Sequence, residues 1–144
     1  MKKAIIISLT LIVGLLAGCQ KQVDQYETAK GKALVIEAET NLPAMAAAQM
    51  GYKAMNQKYA QTFQEMGFSL SSQNQNYSYF MGEDVIKGWR GPAKLPADLP
   101  MTTPTADSYV IYAVARLSDD LKDTKLDIWK IDQNGGVTRV RSGI

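Results

Sequence analysis

Four acidic residues lie close together near the C-terminus, at Asp119, Asp120, Asp123 and Asp127. Calcium favours several oxygen ligands supplied by one short loop, so this stretch has residue types that could hold that cation. However, the turn contains no glycine, and Lys122 and Lys125 already balance its charge. The pattern therefore predicts a solvated turn between two strands and no metal site.

A second group of residues combines aromatic rings with a guanidinium: Trp89 and Arg90, with Tyr77 and Tyr79 earlier in the same region. Exposed aromatic residues beside an arginine are typical of protein-binding hot spots. The indole of Trp89 could equally pin its loop against a sheet. The sequence leaves both interpretations open.

The overall composition narrows the chemistry further. The 144 residues include one cysteine and no histidine. Histidine is the usual general base at neutral pH, so Ser-His-Asp and Cys-His catalysis and most zinc sites are excluded. A carboxylate enzyme would need two acidic residues close together in a cleft. We therefore predict that the protein is not an enzyme and has no catalytic residues, metal or cofactor.

The single cysteine, Cys19, follows an apolar run near the start of the chain. Lys2 and Lys3 precede thirteen mainly apolar residues, 4–16. As a helix this run would span roughly 20 Å, less than the ~30 Å hydrocarbon core of a bilayer. A basic start followed by such a run predicts a secretory signal peptide. Cys19 could then be a lipidation site, a stray cysteine or a buried thiol, and the polar residues that follow it argue against burial.

The end of the run, Leu16-Ala17-Gly18-Cys19, resembles the lipobox of bacterial lipoproteins. The resemblance implies cleavage before Cys19, a diacylglyceryl group on its sulfur and acylation of the new amine. Each buried CH₂ contributes ~0.8 kcal/mol, so several acyl chains would hold the protein on membrane lipid almost irreversibly. Gln20 follows, where aspartate favours inner-membrane retention in enterobacterial lipoproteins. The resemblance therefore implies an envelope lipoprotein of the outer membrane, facing the periplasm or the surface.

Without residues 1–18, the chain would have a balanced charge. The leader contains two of the 16 basic residues, which leaves 14 against 14 acidic residues. A nucleic-acid-binding protein needs a clustered basic face, and none is apparent, so we predict no nucleic-acid partner. The remaining length suits one domain.

Helical periodicity extends over residues 33–60 and is interrupted by a polar residue at Gln49. Apolar residues recur at steps of three and four, at Leu34, Ala38, Leu42, Met45, Tyr52 and Tyr59. Pro43 predicts a kink or a fresh helix start near Asn41. We expect a belt of small residues to let a sheet approach closely, at Ala44, Ala46, Ala47, Ala48 and Gly51.

Strand patterns follow the helix, at residues 77–81, 108–117 and 125–132. Gly135 and Gly136 predict a hairpin turn, after which residues 137–141 pair back. Residues 82–107 are rich in proline and glycine and predict a long irregular loop. The sequence therefore predicts an α+β fold in which a long N-terminal helix packs on an antiparallel sheet of about four strands.

This order of elements resembles the head of type IV pilins and type II secretion pseudopilins. Residues 37–69 are similar to the exposed half of the pilin spine helix and its following turn, residues 77–80 to the first strand, and residues 113–138 to the final hairpin. A lipobox stands where pilins carry a prepilin-peptidase site and a polymerising helix. The C-terminal disulfide of many pilins is also missing.

The sequence thus predicts three segments: a lipoprotein signal peptide at 1–18, lipidated Cys19 with a polar tether at 19–32, and a pilin-like α+β domain at 33–144. The expected function is that of a membrane-anchored lipoprotein with a non-catalytic, protein-binding module, accessory to a pilus or secretion system. Its expected partners are membrane lipid, through acylated Cys19, and proteins. The alternative is a minor structural subunit of a type IV pilus-like fibre.

Overall fold

The computed structural model describes residues 29–70, 75–120 and 122–144 together with their side chains. The predicted signal peptide at 1–18, the lipidation site Cys19 and the predicted tether as far as residue 28 lie outside these ranges. Within the described ranges, no helix has both the length and the apolar composition that crossing a membrane requires.

One helix, α1 (Lys2–Asn56), lies against the sheet of the domain. Its inner face is buried and apolar, at Val35, Ala38, Leu42, Met45 and Ala46. The helix continues through Pro43, so the predicted fresh start near Asn41 is wrong. Pro43 faces solvent, where water can satisfy the backbone carbonyl that the missing N–H leaves free. Of the predicted small-residue belt, only Ala46 is buried and Ala48 is half-buried; Ala44, Ala47 and Gly51 face solvent.

The C-terminal end of α1 is fixed by Gln49, the polar residue within the apolar stripe. The helix ends at Asn56, earlier than predicted, and Gln57 has a left-handed backbone with φ of 59°. The chain then turns back, so that the buried Gln49 amide donates to the Ala60 carbonyl at 2.9 Å and accepts from the Ala60 N–H at 2.8 Å. An amide among apolar residues is stable here because both of its hydrogen-bonding ends are satisfied.

A five-stranded antiparallel sheet packs against α1 and confirms the predicted fold class. The strands are β1 (Ser78–Met81), β2 (Asp84–Ile86), β3 (Val110–Ala115), β4 (Asp127–Asp132) and β5 (Thr138–Arg141). Their order across the sheet is β2-β1-β3-β4-β5. The predicted hairpin is present as β4 and β5, and Gly135 adopts φ of 80° in its turn.

The fifth strand, β2, lies in the stretch predicted as an irregular loop. Met81 of β1 pairs with Asp84 of β2, which leaves Gly82 and Glu83 as a two-residue turn. Gly82 has φ of 58°, as the first central residue of a type II′ hairpin turn requires. The nearby glycines and prolines of residues 88–104 concealed this short strand from the sequence pattern.

The sheet is covered on both faces. On one face, α1 closes a core that includes Tyr77, Tyr79, Ile111 and Ile131. On the other face, Leu95 and Leu99 of the long loop pack on a second, smaller core formed by Phe80, Tyr112, Val114 and Ile128. The loop is therefore a layer of the fold and not a free excursion.

Candidate docking surfaces

The four aspartates of the predicted acidic turn do not converge. Asp119 is exposed and accepts from Lys30 of α1 and from Arg90 of the long loop. Hydrogen bonds from Lys30, and then from Arg90, hold the pKa of the Asp119 carboxyl below its ordinary value. Asp120 and Asp123 accept from backbone N–H groups within their own turn.

Asp127 is instead fully buried and is enclosed by hydrogen-bond donors. Its Oδ2 accepts from the Tyr77 hydroxyl at 2.6 Å and from the Trp129 indole at 2.5 Å. Its Oδ1 accepts from Nε and Nη2 of Arg139, at 2.8 and 2.6 Å, and from the Gly143 N–H at 3.0 Å. This carboxylate joins the residue before β1 to β4, β5 and the C-terminal residues. In the described part of the chain, no group of three or more acidic residues is arranged to hold a metal.

The two tyrosines of the aromatic group are buried and do not form an exposed hot spot. Both hydroxyls are engaged, that of Tyr77 by Asp127 and that of Tyr79 by Asn41, whose amide donates to it at 2.9 Å. Glu37 of α1 also accepts from the backbone N–H of Tyr77 at 2.9 Å and so ties the start of β1 to the helix. Burial raises the pKa of both phenols well above its ordinary value.

Trp89 is the exposed member of the aromatic group. Its side chain is 83% exposed, so the indole does not pin the loop to the sheet, and that interpretation is wrong. The backbone of residues 87–91, here called the Trp89 loop, does the pinning. The N–H groups of Trp89 and Arg90 donate to Gln75 and Asn76 at 2.8 and 2.9 Å, and the Arg90 carbonyl accepts from Arg116 at 3.0 Å.

Two glycines allow this close backbone contact. A Cβ atom at Gly88 would lie 2.1 Å from the Tyr77 carbonyl oxygen, and one at Gly91 would lie 2.2 Å from the Ser78 hydroxyl. Ser78 in turn accepts from the Gly88 N–H at 3.0 Å. The Trp89 loop therefore holds a solvent-facing indole on a fixed backbone, which reduces the entropy lost when the ring meets a partner.

A second uncovered surface runs along the side of α1 opposite the sheet. We call it the outer helix face. Its eight residues are all exposed and recur at steps of three and four: Ala29, Ala33, Ile36, Thr40, Ala44, Ala47, Gly51 and Ala54. None of them is charged, and most are small. Met50 and Met55, which are 55% and 79% exposed, lie beside this face.

A helix face of this kind can pack closely against a second helix. Small side chains let a second helix approach the backbone closely, and an uncharged stripe at helical spacing matches the ridges and grooves of another helix. A solvated helix face would more commonly carry charged residues. The charged residues in this part of α1, Lys30, Lys32, Glu37, Glu39 and Lys53, all lie outside the outer helix face.

A groove of about 500 Å³ opens between the segment after α1 and β2. Phe63, Phe68, Val85 and Ile86 line it. Its carboxylate, Asp84, already accepts from the Phe63 N–H at 2.7 Å. The groove thus has an apolar wall without a pair of free carboxylates.

Comparison with known proteins identifies a family for the domain. The family described as type IV pilin-like G and H matches residues 36–123. The matched range includes most of the outer helix face, strands β1 to β3 and the Trp89 loop, whereas β4 and β5 lie beyond it. No curated protein and no solved structure matches the chain.

Proposed function

Because the chain belongs to the type IV pilin-like G and H family, we propose that it is a membrane-anchored lipoprotein whose pilin-like head docks a protein of a pilus or secretion system. A pilin-like domain indicates a structural role in such a system, and families of this kind are typically structural and not catalytic. The proposal adds two specific elements, which are a lipid anchor at Cys19 and a docking surface on the outer helix face.

The observation that carries the docking element is the outer helix face itself. About seven turns of exposed helix, from Ala29 to Ala54, present eight uncharged residues to solvent. The sheet already buries the opposite side of α1, so this face is available to another helix. Small residues at helical spacing favour a tightly packed helical partner over a flat or highly charged one.

The anchor element rests on the residues around Cys19, where an apolar run ends in Leu-Ala-Gly-Cys. Mass spectrometry of the mature N-terminus tests it directly. We expect a chain that begins at Cys19 and carries acyl groups. A mature chain that retains the leader, or that begins elsewhere without acyl groups, would contradict the anchor.

The docking element is tested with a photo-reactive amino acid placed at Ala47 on the outer helix face. The matched control is the same substitution at Ala97, an exposed alanine of the long loop. We expect the Ala47 position to crosslink to a pilin-like or secretion-system subunit and the Ala97 position not to. With the probe kept at position 47, Ala44→Arg, one turn away on the same face, should abolish that adduct without lowering the melting temperature, whereas Ala97→Arg should leave it intact. Equal crosslinking from both positions would contradict the proposal.

A second candidate function is that of a minor subunit built into a pilus-like fibre. The same uncharged face favours it, because helices packed side by side in a fibre core need such surfaces. The two functions predict that the protein is recovered in different cell fractions. A fibre subunit is recovered with sheared filaments, whereas a lipid-anchored module stays with the membranes until detergent releases it.

A further inference from the structure

The residues around Trp89 form a basic surface with an exposed indole at its centre. Residues 87–94 read KGWRGPAK and contain three cations and no acidic residue. We call Lys87, Trp89, Arg90 and Lys94 the Trp89 patch. Lys87 and Lys94 are exposed, and Trp89 is 83% exposed. Outside the leader and this patch, the chain has 11 basic and 14 acidic residues, so this local excess of positive charge stands out.

The Trp89 patch lies at the end of the head where the chain arrives from Cys19. Arg90 shares Asp119 with Lys30, one of the first described residues of α1. Lys30 is eleven residues after Cys19. Even a fully extended chain of that length spans at most roughly 40 Å. The patch is therefore tied to the part of the head that an anchor at Cys19 would hold nearest the membrane.

We propose that the Trp89 patch rests on the anionic surface of the membrane that holds Cys19. This inference rests on the proposed lipid anchor and adds a second contact between the head and the bilayer. The indole inserts at the level of the lipid headgroups, which is where tryptophan is enriched in membrane proteins. Lys94 supplies the cation that faces the phosphate groups most directly, and a cation near an anionic surface strengthens the contact. The Lys87 ammonium, which also donates to the Gly88 and Gly91 carbonyls at 3.1 Å, adds positive charge beside it, whereas Arg90 is 16% exposed and paired with Asp119.

The composition of the patch favours lipid over a protein partner. Lysine is depleted in protein–protein interfaces, whereas two of the three cations here are lysines. Surfaces that lie on membranes combine lysine or arginine with tryptophan or another apolar residue. The ordered backbone of the Trp89 loop keeps the indole outside the fold, so that membrane contact requires no rearrangement of the head.

The test uses the full chain, purified in detergent and reconstituted into vesicles that contain brominated lipids, which quench tryptophan on contact. One set of vesicles is phosphatidylcholine alone, and the other is equal parts phosphatidylcholine and phosphatidylglycerol. The chain has two tryptophans, and Trp129 is only 8% exposed, so it serves as an internal control. We expect quenching of the Trp89 emission in the anionic vesicles and little in the neutral ones. Trp89→Phe should remove the quenched component.

Charge variants separate the patch from a general effect of net charge. Lys94→Gln should lower the ratio of membrane-contacting to free Trp89 roughly fivefold in anionic vesicles. Lys58→Gln is the matched control, because Lys58 is also exposed but follows the opposite end of α1. An equal loss in both variants would overturn the role of the patch.

The outcomes distinguish this inference from the anchor on which it rests. Mass spectrometry of the same sample reports whether Cys19 is acylated. Acylated protein whose Trp89 stays unquenched in anionic vesicles and accessible to acrylamide overturns the membrane contact and leaves the anchor intact. Unacylated protein whose Trp89 is quenched supports the contact and overturns the anchor. Shielding of Trp89 only after envelope proteins are added would also overturn the membrane contact, in favour of a protein partner.

Discussion

The molecule contains two groups that each combine an aspartate, an arginine and a tryptophan, and they differ in burial. In the inner group, Asp127 pairs with Arg139 and accepts from the Trp129 indole. In the outer group, Asp119 pairs with Arg90, whose chain neighbour is Trp89. The Asp127 side chain is fully buried, whereas that of Asp119 is 44% exposed.

The same residue types therefore serve two purposes. In the inner group, all donors converge on one carboxylate, and the guanidinium of Arg139 lies over the Trp129 ring, 5.2 Å from its centroid. Removal of one partner there leaves another polar group buried without compensation. In the outer group, Asp119 is exposed, so water can replace a partner that it loses. Arg90 is 16% exposed, and the indole of Trp89 is the part of the group that is free to meet a ligand. Burial, and not residue identity, decides which group stabilises the fold and which forms a surface.

The largest effect on stability is expected for Asp127→Asn, which tests whether the inner group stabilises the fold. The substitution removes the negative charge opposite Arg139 and presents an N–H₂ group to donors that need an acceptor. Loss of one partner from a fully buried ion pair costs about 3–5 kcal/mol; because Arg139 is 29% exposed, we expect a decrease in the free energy of unfolding near the lower end of that range. Urea unfolding measures it. A decrease below about 1 kcal/mol would show that the inner group is no more important than an exposed pair.

The second largest effect is expected at alkaline pH, where ionisation of buried tyrosines such as Tyr109 should lower the free energy of unfolding. Burial, and then the charges of Tyr59 and Asp132, raise the pKa of Tyr109 to about 12. The folded state resists ionisation, so this stabilisation is complete below the ordinary tyrosine pKa of ~10 and is lost as pH rises towards 12. Between those values each such tyrosine lowers stability by about 1.4 kcal/mol per pH unit.

The measurement is urea unfolding across that alkaline range, with Tyr109→Phe as the comparison. Phenylalanine keeps the ring that packs against Tyr59, at 4.7 Å between centroids, and removes the ionisable hydroxyl. We expect a shallower loss of stability with pH in the variant, by about one proton. An unchanged slope would mean that Tyr109 ionises as easily in the folded protein as in the unfolded chain.

Substitution of the two tryptophans compares the same two groups through smaller changes in stability. Trp129→Phe removes a donor to the buried Asp127 carboxylate, and a hydrogen bond to a charged group contributes about 1.5–3 kcal/mol. Trp89→Phe should change the free energy of unfolding by less than about 0.5 kcal/mol, because Trp89 is 83% exposed and buries little apolar surface in the fold. Thermal melts of both variants test the difference. Similar losses in the two would contradict the division into an inner and an outer group.

The helix and the β4–β5 hairpin were predictable because their signals are local. Leu42 and Met45 lie on one periodic face, and Gly135 supplies the left-handed turn. The short strand β2 was missed because a three-residue strand has no periodicity of its own. The positive φ at Gly82 follows directly after a strand pattern, and this turn chemistry is the signal that could have revealed it.

The functional surfaces were less predictable because they depend on what the rest of the fold covers. Trp89 is exposed because glycines let its backbone pack beside β1, a contact between segments that no sequence window contains. Ala44 and Ala47 were expected to face the sheet, yet they face solvent. Small residues satisfy either side of a helix equally well, so composition alone could not assign them.

The smallest stability effect is expected for Asp119→Asn, and it separates stability from surface function. The pKa of Asp119 is lowered by hydrogen bonds from Lys30 and Arg90, so its contribution is present at neutral pH and is lost as pH falls through the folded value. Salt screens an exposed pair, so we expect no measurable change in melting temperature at physiological ionic strength. The same substitution removes a negative charge beside the Trp89 patch. It should therefore increase quenching of Trp89 in anionic vesicles of brominated lipid while leaving neutral vesicles unaffected. A melting temperature as low as that of Asp127→Asn would instead mean that the outer group stabilises the fold as the inner group does. It would contradict the assignment of the outer group to a surface that contacts the membrane.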